Sequence, residues 1–198
     1  MKIVLASNSP RRKELLSALE MDFVVRTIDG IDESYPQGFT MTGIAEHISS
    51  HKASAYTLDD DELLIAADTI VYLDGEVLGK PADEPEACSM LRKLSGRTHH
   101  VVTGVTLRTL ECTHTFSCVT EVTFANLTDE QIDYYVSNFK PLDKAGAYGI
   151  QEWIGYVGVT GINGSFYNVM GLPVQRLNQE LKNFIEQYTN PLLNSFIY

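Results

Sequence analysis

The chain has 198 residues, of which 44% are hydrophobic and 21% are charged, and this composition predicts one soluble domain over residues 1–198. The formal net charge of −11 disfavours nucleic acid as a partner, because binding to a phosphate backbone needs a basic surface. The three cysteines form no CxxC pair, and no apolar segment has the length of a signal peptide or a membrane span, so we expect a cytoplasmic protein that binds no membrane.

Alternating apolar runs predict an α/β fold with a mixed sheet. Strands are predicted over 2–6, 23–27, 63–73, 76–78, 98–109, 113–126 and 155–160. Helices are predicted over 10–20, 40–57 and 83–94, after Thr128, and over 173–187. The Asp74-Gly75 pair predicts a hairpin, and the two long strands after residue 97 predict an antiparallel ribbon, so the order is not strictly βαβ.

Two arginines occupy the first turn of the first predicted helix. Ser9 is the predicted N-cap and Pro10 the first helical residue, so Arg11 and Arg12 stand where the helix dipole already places roughly +0.5 charge. Backbone N–H groups, both guanidinium groups and the Ser7 hydroxyl would together bind a phosphate. The alternative is that both arginines point into solvent or pair with surface carboxylates, and the local sequence favours neither interpretation.

An aspartate interrupts the most apolar stretch of the chain. Residues 63–73 are typical of a strand that is covered on both faces, yet they contain Asp68 and Thr69. A buried ionised carboxylate is costly unless it is paired or binds a metal. We therefore interpret Asp68 as a metal ligand, a general base or both, the alternative being a structural aspartate at the end of the strand.

Two lysines and an acidic loop could complete a phosphate site. Lys52 lies on the apolar stripe of its helix, so its ammonium needs an anionic partner unless the side chain extends to water. Lys80 follows the predicted hairpin and could reach a phosphate, although the local sequence by itself favours a surface lysine in the turn. A carboxylate of the acidic loop, residues 28–38, could join Asp68 around a magnesium ion, or the loop could simply be solvated.

The chain resembles the Maf family of nucleoside triphosphate pyrophosphatases over nearly its whole length. The matching segments, in chain order, are LASNSPRRKELL, HKA, ADTIV, GEVLGKP, MLRKLSGRTH, VVTGV, EVTF, PLDKAGAYGIQ and INGSFYNVMGLP. Arg12, Thr69 and Gln151 match the branch that hydrolyses dTTP and UTP rather than the branch that acts on 7-methyl-GTP. The resemblance therefore implies pyrimidine nucleotides as substrates.

The resemblance also implies an elongated mixed sheet flanked by helices, with two lobes around a central cleft, similar to the inosine-triphosphate pyrophosphatases. It implies a homodimer and a divalent cation, Mg²⁺ or Mn²⁺. Asp68 would be the catalytic proton acceptor, and Glu33 would join it in binding the metal. The substrate-binding positions that it implies are Ser7, Arg11, Arg12, Lys52, Thr69, Lys80 and Gln151.

The expected reaction is hydrolysis of dTTP, UTP and modified analogues to the monophosphate and pyrophosphate, which would remove unwanted nucleotides from the pool. Thr69 and Gln151 would contact the pyrimidine ring, because an amide can pair with the donor and acceptor on the uracil or thymine edge. The alternative is a nucleotide-binding regulator of cell division with little turnover. Retention of Asp68 favours the enzyme, since a protein that only binds nucleotide does not need a base.

Overall fold

The computed structural model describes residues 1–189, in which strands and helices alternate. The strands are β1 (Lys2–Leu5), β2 (Phe23–Val25), β3 (Glu62–Leu73), β4 (Glu76–Leu78), β5 (Thr98–Arg108), β6 (Thr113–Phe124) and β7 (Val159–Asn163). The helices are α1 (Pro10–Ser17), α2 (Met41–Ser54), α3 (Glu84–Leu94), α4 (Asp129–Phe139), α5 (Trp153–Gly158), α6 (Phe166–Met170) and α7 (Val174–Thr189). The predicted α/β class is confirmed.

Seven strands pair into one mixed sheet in the order β2-β1-β3-β5-β6-β7, with β4 paired to β3. β1 runs parallel to both of its neighbours, whereas β4 and β7 are antiparallel to their partners. The β5–β6 ribbon is antiparallel as well, because Thr98 contacts Thr123 while Thr106 contacts Thr115. The predicted mixed sheet, hairpin and ribbon are therefore all present.

The chain divides into two compact units. Unit 1 comprises residues 1–68, residues 104–118 and residues from 171 onward, and unit 2 comprises residues 69–103 and 119–170. The interpretation of residues 1–198 as one domain stays a prediction. No helix in residues 1–189 is both long and apolar enough to span a bilayer.

Within unit 1, helix α2 lies very close to strand β5. A Cβ atom added at Gly104 of β5 would lie 2.2 Å from the backbone oxygen of Ala45 in α2, so only glycine permits this approach. Ala53 and Tyr56, at the end of α2, pack in a cluster with Leu64 and Ala66 of β3. These contacts place the last turn of α2 beside the segment of β3 that leads to Asp68.

A buried carboxylate, that of Glu62, links three segments of unit 1. Glu62 begins β3 with a side chain that is 0% exposed, and it forms ion pairs with Arg26 and Lys2. The hydrogen bond from Arg26 is the main reason that the pKa of Glu62 falls to about 2, while burial opposes this shift and Lys2 supports it. The pairing joins β3 to β1 and to the segment after β2.

The strand predicted over 155–160 is wrong, because residues 153–158 form α5 and the strand β7 begins only at Val159. The segment contains β-branched and aromatic residues that favour a strand, but the local path of the chain overrides that preference. A Cβ at Gly155 would lie 1.8 Å from the Ile150 carbonyl oxygen, so the chain folds back on itself here. Helix α6 was not predicted.

Candidate active site

The start of α1 presents its first-turn donors as predicted. Ser9 is the N-cap, and its hydroxyl accepts a hydrogen bond from the backbone N–H of Arg12 at 3.4 Å. The hydroxyl of Ser7, which is buried, accepts from the N–H of Ser9 at 3.2 Å. No acidic residue lies in the first turn, so Arg11 and Arg12 reinforce the positive end of the helix dipole.

The Arg12 side chain is anchored to the backbone of unit 1. Its Nε donates to the carbonyl of Gly171 at 2.8 Å, and a terminal nitrogen donates to the carbonyl of Ala67 at 2.7 Å. Two of the five guanidinium N–H donors are used in this way. Of the two interpretations left open for Arg12, a side chain that points into solvent is therefore wrong.

Arg12 also lies in the electrostatic field of the other candidate residues. Burial lowers the pKa of its guanidinium, the carboxylate of Asp68 opposes that shift, Arg11 adds to it, and Glu33 opposes it. The three charge interactions, with Asp68, Arg11 and Glu33, place these groups in the vicinity of the Arg12 guanidinium. Unit 1 thus brings together residues from α1, the acidic loop and β3.

Lys52 connects the two candidate carboxylates. Its Nζ lies 2.6 Å from Oδ1 of Asp68 and 2.8 Å from Oε1 of Glu33. The side chains of Lys52 and Asp68 are only 14% and 10% exposed, whereas Glu33 is 48% exposed. Of the two alternatives left open for Lys52, the structure shows the one in which its ammonium faces an anionic partner, and Asp68 is a buried carboxylate paired with a cation.

The two carboxylates fit a divalent cation of a particular kind. Because Oδ1 of Asp68 and Oε1 of Glu33 contact the same Lys52 Nζ, at 2.6 and 2.8 Å, these two oxygens lie close to each other. In residues 1–189 no cluster of three or more His, Cys, Asp or Glu side chains could hold a metal. Because Mg²⁺ is often bound through one or two carboxylates together with substrate phosphates, Glu33 and Asp68 suit a cation that binds with a nucleotide, not one held by protein ligands alone.

Within unit 2, Thr69 belongs to a directed chain of hydrogen bonds. The hydroxyl of Thr103 donates its proton to the carbonyl of Asn168 at 3.0 Å. With the Thr103 proton on that carbonyl, the 2.9 Å contact between the Thr69 and Thr103 hydroxyls is made with Thr69 as its donor. Toward any further partner, the Thr69 oxygen consequently presents lone pairs rather than a proton.

The other two candidate residues of unit 2 differ in their surroundings. The amide oxygen of Gln151 is buried and has no hydrogen-bond partner in the described part of the chain. Such an acceptor is costly unless a ligand or a water satisfies it. Lys80 is exposed on the segment after β4, where the carbonyl of Gly79 accepts from the N–H of Gly146 at 3.0 Å.

Several residues of these networks were not predicted. Thr103 and Asn168 belong to the matching segments VVTGV and INGSFYNVMGLP, but nothing in the sequence pattern indicated that they direct the Thr69 hydroxyl. The carbonyl partners of Arg12 were missed too, since every residue has a carbonyl and sequence type carries no signal for it. A buried threonine or asparagine inside an apolar segment is the one clue that the sequence offered.

Comparison with known proteins gives a consistent result. The family model described as Maf-like protein matches residues 2–184. A dTTP/UTP pyrophosphatase of Phocaeicola vulgatus is 61% identical over 183 residues, covering 91% of this chain and 95% of that protein. A dTTP/UTP pyrophosphatase of Bacteroides thetaiotaomicron is 57% identical with the same coverage. Among solved structures, a HAM1 protein from Coxiella burnetii is 18% identical with a TM-score of 0.49, covering 92% of this chain and 99% of that one.

Proposed function

Because this chain belongs to the Maf family, we propose that it hydrolyses dTTP and UTP between the α and β phosphates, giving the nucleoside monophosphate and pyrophosphate. The similarity to relatives named dTTP/UTP pyrophosphatase covers more than nine-tenths of the chain. The structural observation that carries the proposal is the buried Lys52–Asp68 pair in the field of the arginines that begin α1.

Asp68 is the proposed general base. A carboxylate can orient a water molecule and take its proton as the water attacks phosphorus. The 2.6 Å bond from Lys52 holds the carboxylate in place, and the bond from Arg12 fixes the backbone at the preceding residue, Ala67. The base is thus held through both its side chain and its main chain.

The cations of the site would neutralise the charge that develops on the departing pyrophosphate. Arg11, Arg12 and Lys52 are proposed to contact the phosphates, together with the hydroxyl of Ser7 and the backbone N–H groups of α1. Lys80 is proposed to contribute a further charge, in keeping with its exposed position in unit 2. Guanidinium groups suit this task because they bind phosphate oxygens bidentately.

Glu33 and Asp68 would hold a divalent cation, Mg²⁺ or Mn²⁺. When bound, such an ion lowers the pKa of a water molecule and offsets the negative charge of the triphosphate. Glu33 is 48% exposed and Asp68 is 10% exposed, and both carboxylates contact Lys52.

Thr69 and Gln151 are the proposed contacts to the pyrimidine ring of the nucleotide. Both present acceptors, since the Thr69 proton is directed to Thr103 and the Gln151 amide oxygen has no partner in the described chain. The N3–H of uracil or thymine can donate to such a group, but N3 of cytosine is itself an acceptor. CTP would leave a buried acceptor unpaired and should be a poorer substrate.

We further propose that the protein is a cytoplasmic homodimer that removes modified pyrimidine triphosphates from the nucleotide pool. Incubation with dTTP and Mg²⁺, followed by chromatography for dTMP and an assay for pyrophosphate, tests the reaction. Release of both products in equal amounts supports the proposal. Tight nucleotide binding without turnover would instead support the alternative, a nucleotide-binding regulator of cell division.

A further inference from the structure

A four-residue turn in unit 2, residues 149–152, carries Gln151 and is held at both ends by one tyrosine hydroxyl. The Tyr135 oxygen accepts from the N–H of Gly149 at 2.9 Å and donates its proton to the carboxylate of Glu152. The N–H of Glu152 closes the turn by donating to the carbonyl of Gly149 at 2.9 Å. The other carboxylate oxygen of Glu152 lies 3.1 Å from Nζ of Lys144. We call Tyr135, Glu152 and Lys144 the turn clamp.

The turn clamp is almost entirely removed from solvent. Tyr135 is 0% exposed and the Lys144 side chain 9% exposed. Burial and the hydrogen bond to Glu152 both raise the pKa of Tyr135, so its hydroxyl keeps the proton that it donates. A Cβ atom at Gly149 would lie 2.8 Å from the carboxyl carbon of Glu152, so the carboxylate rests directly against the glycine. Two buried polar groups, Tyr135 and Lys144, therefore converge on the Glu152 carboxylate, whose side chain is 21% exposed.

The direction of the Gln151 amide depends on this turn. Because its amide oxygen has no hydrogen-bond partner in the described residues, no protein donor fixes where that oxygen points. The backbone that carries Gln151 is held by the clamp through Gly149 and Glu152. A displacement of this backbone would move the amide as well.

We propose that Tyr135, Glu152 and Lys144 are positioning residues that determine pyrimidine specificity by fixing the Gln151 amide. This inference rests on the proposed function, in which Gln151 accepts from N3–H of uracil or thymine. The clamp does not touch the substrate, so its loss weakens the preference for dTTP over CTP without removing the catalytic carboxylate.

The variant Tyr135→Phe tests the proposal because it deletes one oxygen and leaves the ring in place. The loss leaves the Gly149 N–H and the Glu152 carboxylate unpaired at that point. We expect kcat/KM for dTTP to fall about tenfold, while kcat/KM for CTP stays unchanged because cytosine has no N3–H to donate. The matched control is Tyr134→Phe, which deletes the hydroxyl of the neighbouring, half-exposed tyrosine of α4. The control should keep the wild-type ratio.

A double-mutant cycle separates positioning from general damage to the fold. In a Gln151→Ala background the amide is absent, so adding Tyr135→Phe should cause no further loss of dTTP specificity. Additive losses would overturn the proposal, as would equal losses for dTTP and CTP in the single variant. If Tyr135→Phe fails to fold, Glu152→Gln provides the same measurement, because it keeps an oxygen for the Tyr135 hydroxyl but loses the charge. Its dTTP-to-CTP ratio should fall, and a wild-type ratio would overturn the proposal.

The outcome for the clamp is independent of the outcome for the reaction. Wild-type protein that releases no dTMP from dTTP contradicts the proposed function before any variant is made. Wild-type protein that prefers dTTP, together with a Tyr135→Phe variant that keeps the same preference, supports the reaction and overturns the clamp.

Discussion

Replacement of Asp68 with asparagine tests the proposed base directly. The amide has the size of the carboxylate and can accept the Lys52 hydrogen bond that now measures 2.6 Å, but it cannot take a proton from water. Loss of a positioned general base typically costs about 10²–10⁴ in rate, so kcat for dTTP should fall about 10³-fold. Binding of dTTP should persist or tighten, because the change removes one negative charge beside the triphosphate.

The effect of this substitution on stability can be estimated from the same contacts. Breaking a buried ion pair generally costs about 3–5 kcal/mol when a charge is left without a partner. Here Lys52 keeps its 2.8 Å contact with Glu33, so the free energy of unfolding should fall by only about 1–3 kcal/mol. The variant should therefore fold and be measurable at room temperature.

The assay combines pyrophosphate release under saturating dTTP with calorimetric titration of nucleotide and a thermal melt. Asp60→Asn is the matched control, since Asp60 is exposed in the turn before β3 and the change in charge is identical. The control should keep wild-type kcat. An Asp68→Asn variant with near wild-type turnover would show that another group takes the proton, and loss of nucleotide binding together with turnover would show that Asp68 holds the substrate rather than the water.

Three other substitutions test separate parts of the structure. Arg12→Lys cannot bond both backbone carbonyls, so KM for dTTP should rise at least tenfold; an unchanged KM refutes this role. Thr103→Val frees the Thr69 hydroxyl to donate, so the dTTP-to-CTP ratio of kcat/KM should fall several-fold, and a constant ratio contradicts the directed hydrogen bond. Because Arg26 holds the pKa of Glu62 at about 2, the stabilisation from Glu62 is complete above pH 4.5 and is lost as the pH falls toward 2. The melting temperature of the Glu62→Gln variant should therefore depend less on pH over this range than that of the wild-type protein. Equal pH dependence of the two melting temperatures would contradict this role of Glu62.

Local chemistry made the start of α1 predictable from sequence. The N-cap role of Ser9 and the first-turn position of Pro10 depend on residues within four positions of each other, and both predictions were confirmed. The place of Lys52 on the apolar side of α2 was predictable from helical spacing, but the direction of its ammonium was left open. The sequence did not indicate which carboxylates would form ion pairs with Lys52.

Long-range contacts were beyond the sequence pattern. The carbonyl partners of Arg12 lie 55 and 159 residues away, and a backbone carbonyl has no side-chain signature. A short-range contact was missed as well, because the close approach of Gly155 to Ile150, five residues earlier, has no signature in the apolar pattern, and helix α5 was mistaken for a strand. The hydrogen bond from Tyr135 to the residue that follows Gln151 depends on how α4 packs, so the clamp could be found only in the structure.

The single ammonium shared by Glu33 and Asp68 has a consequence for the order of binding events. A divalent ion that took the two lysine-bound oxygens would displace the lysine, so loading the metal there would amount to an exchange of one cation for another. A free ion in solution competes poorly with a tethered one, whereas a nucleotide brings anionic oxygens that give the released lysine a new partner. Under the proposed function, the metal and the triphosphate should therefore bind cooperatively, with the metal alone binding weakly.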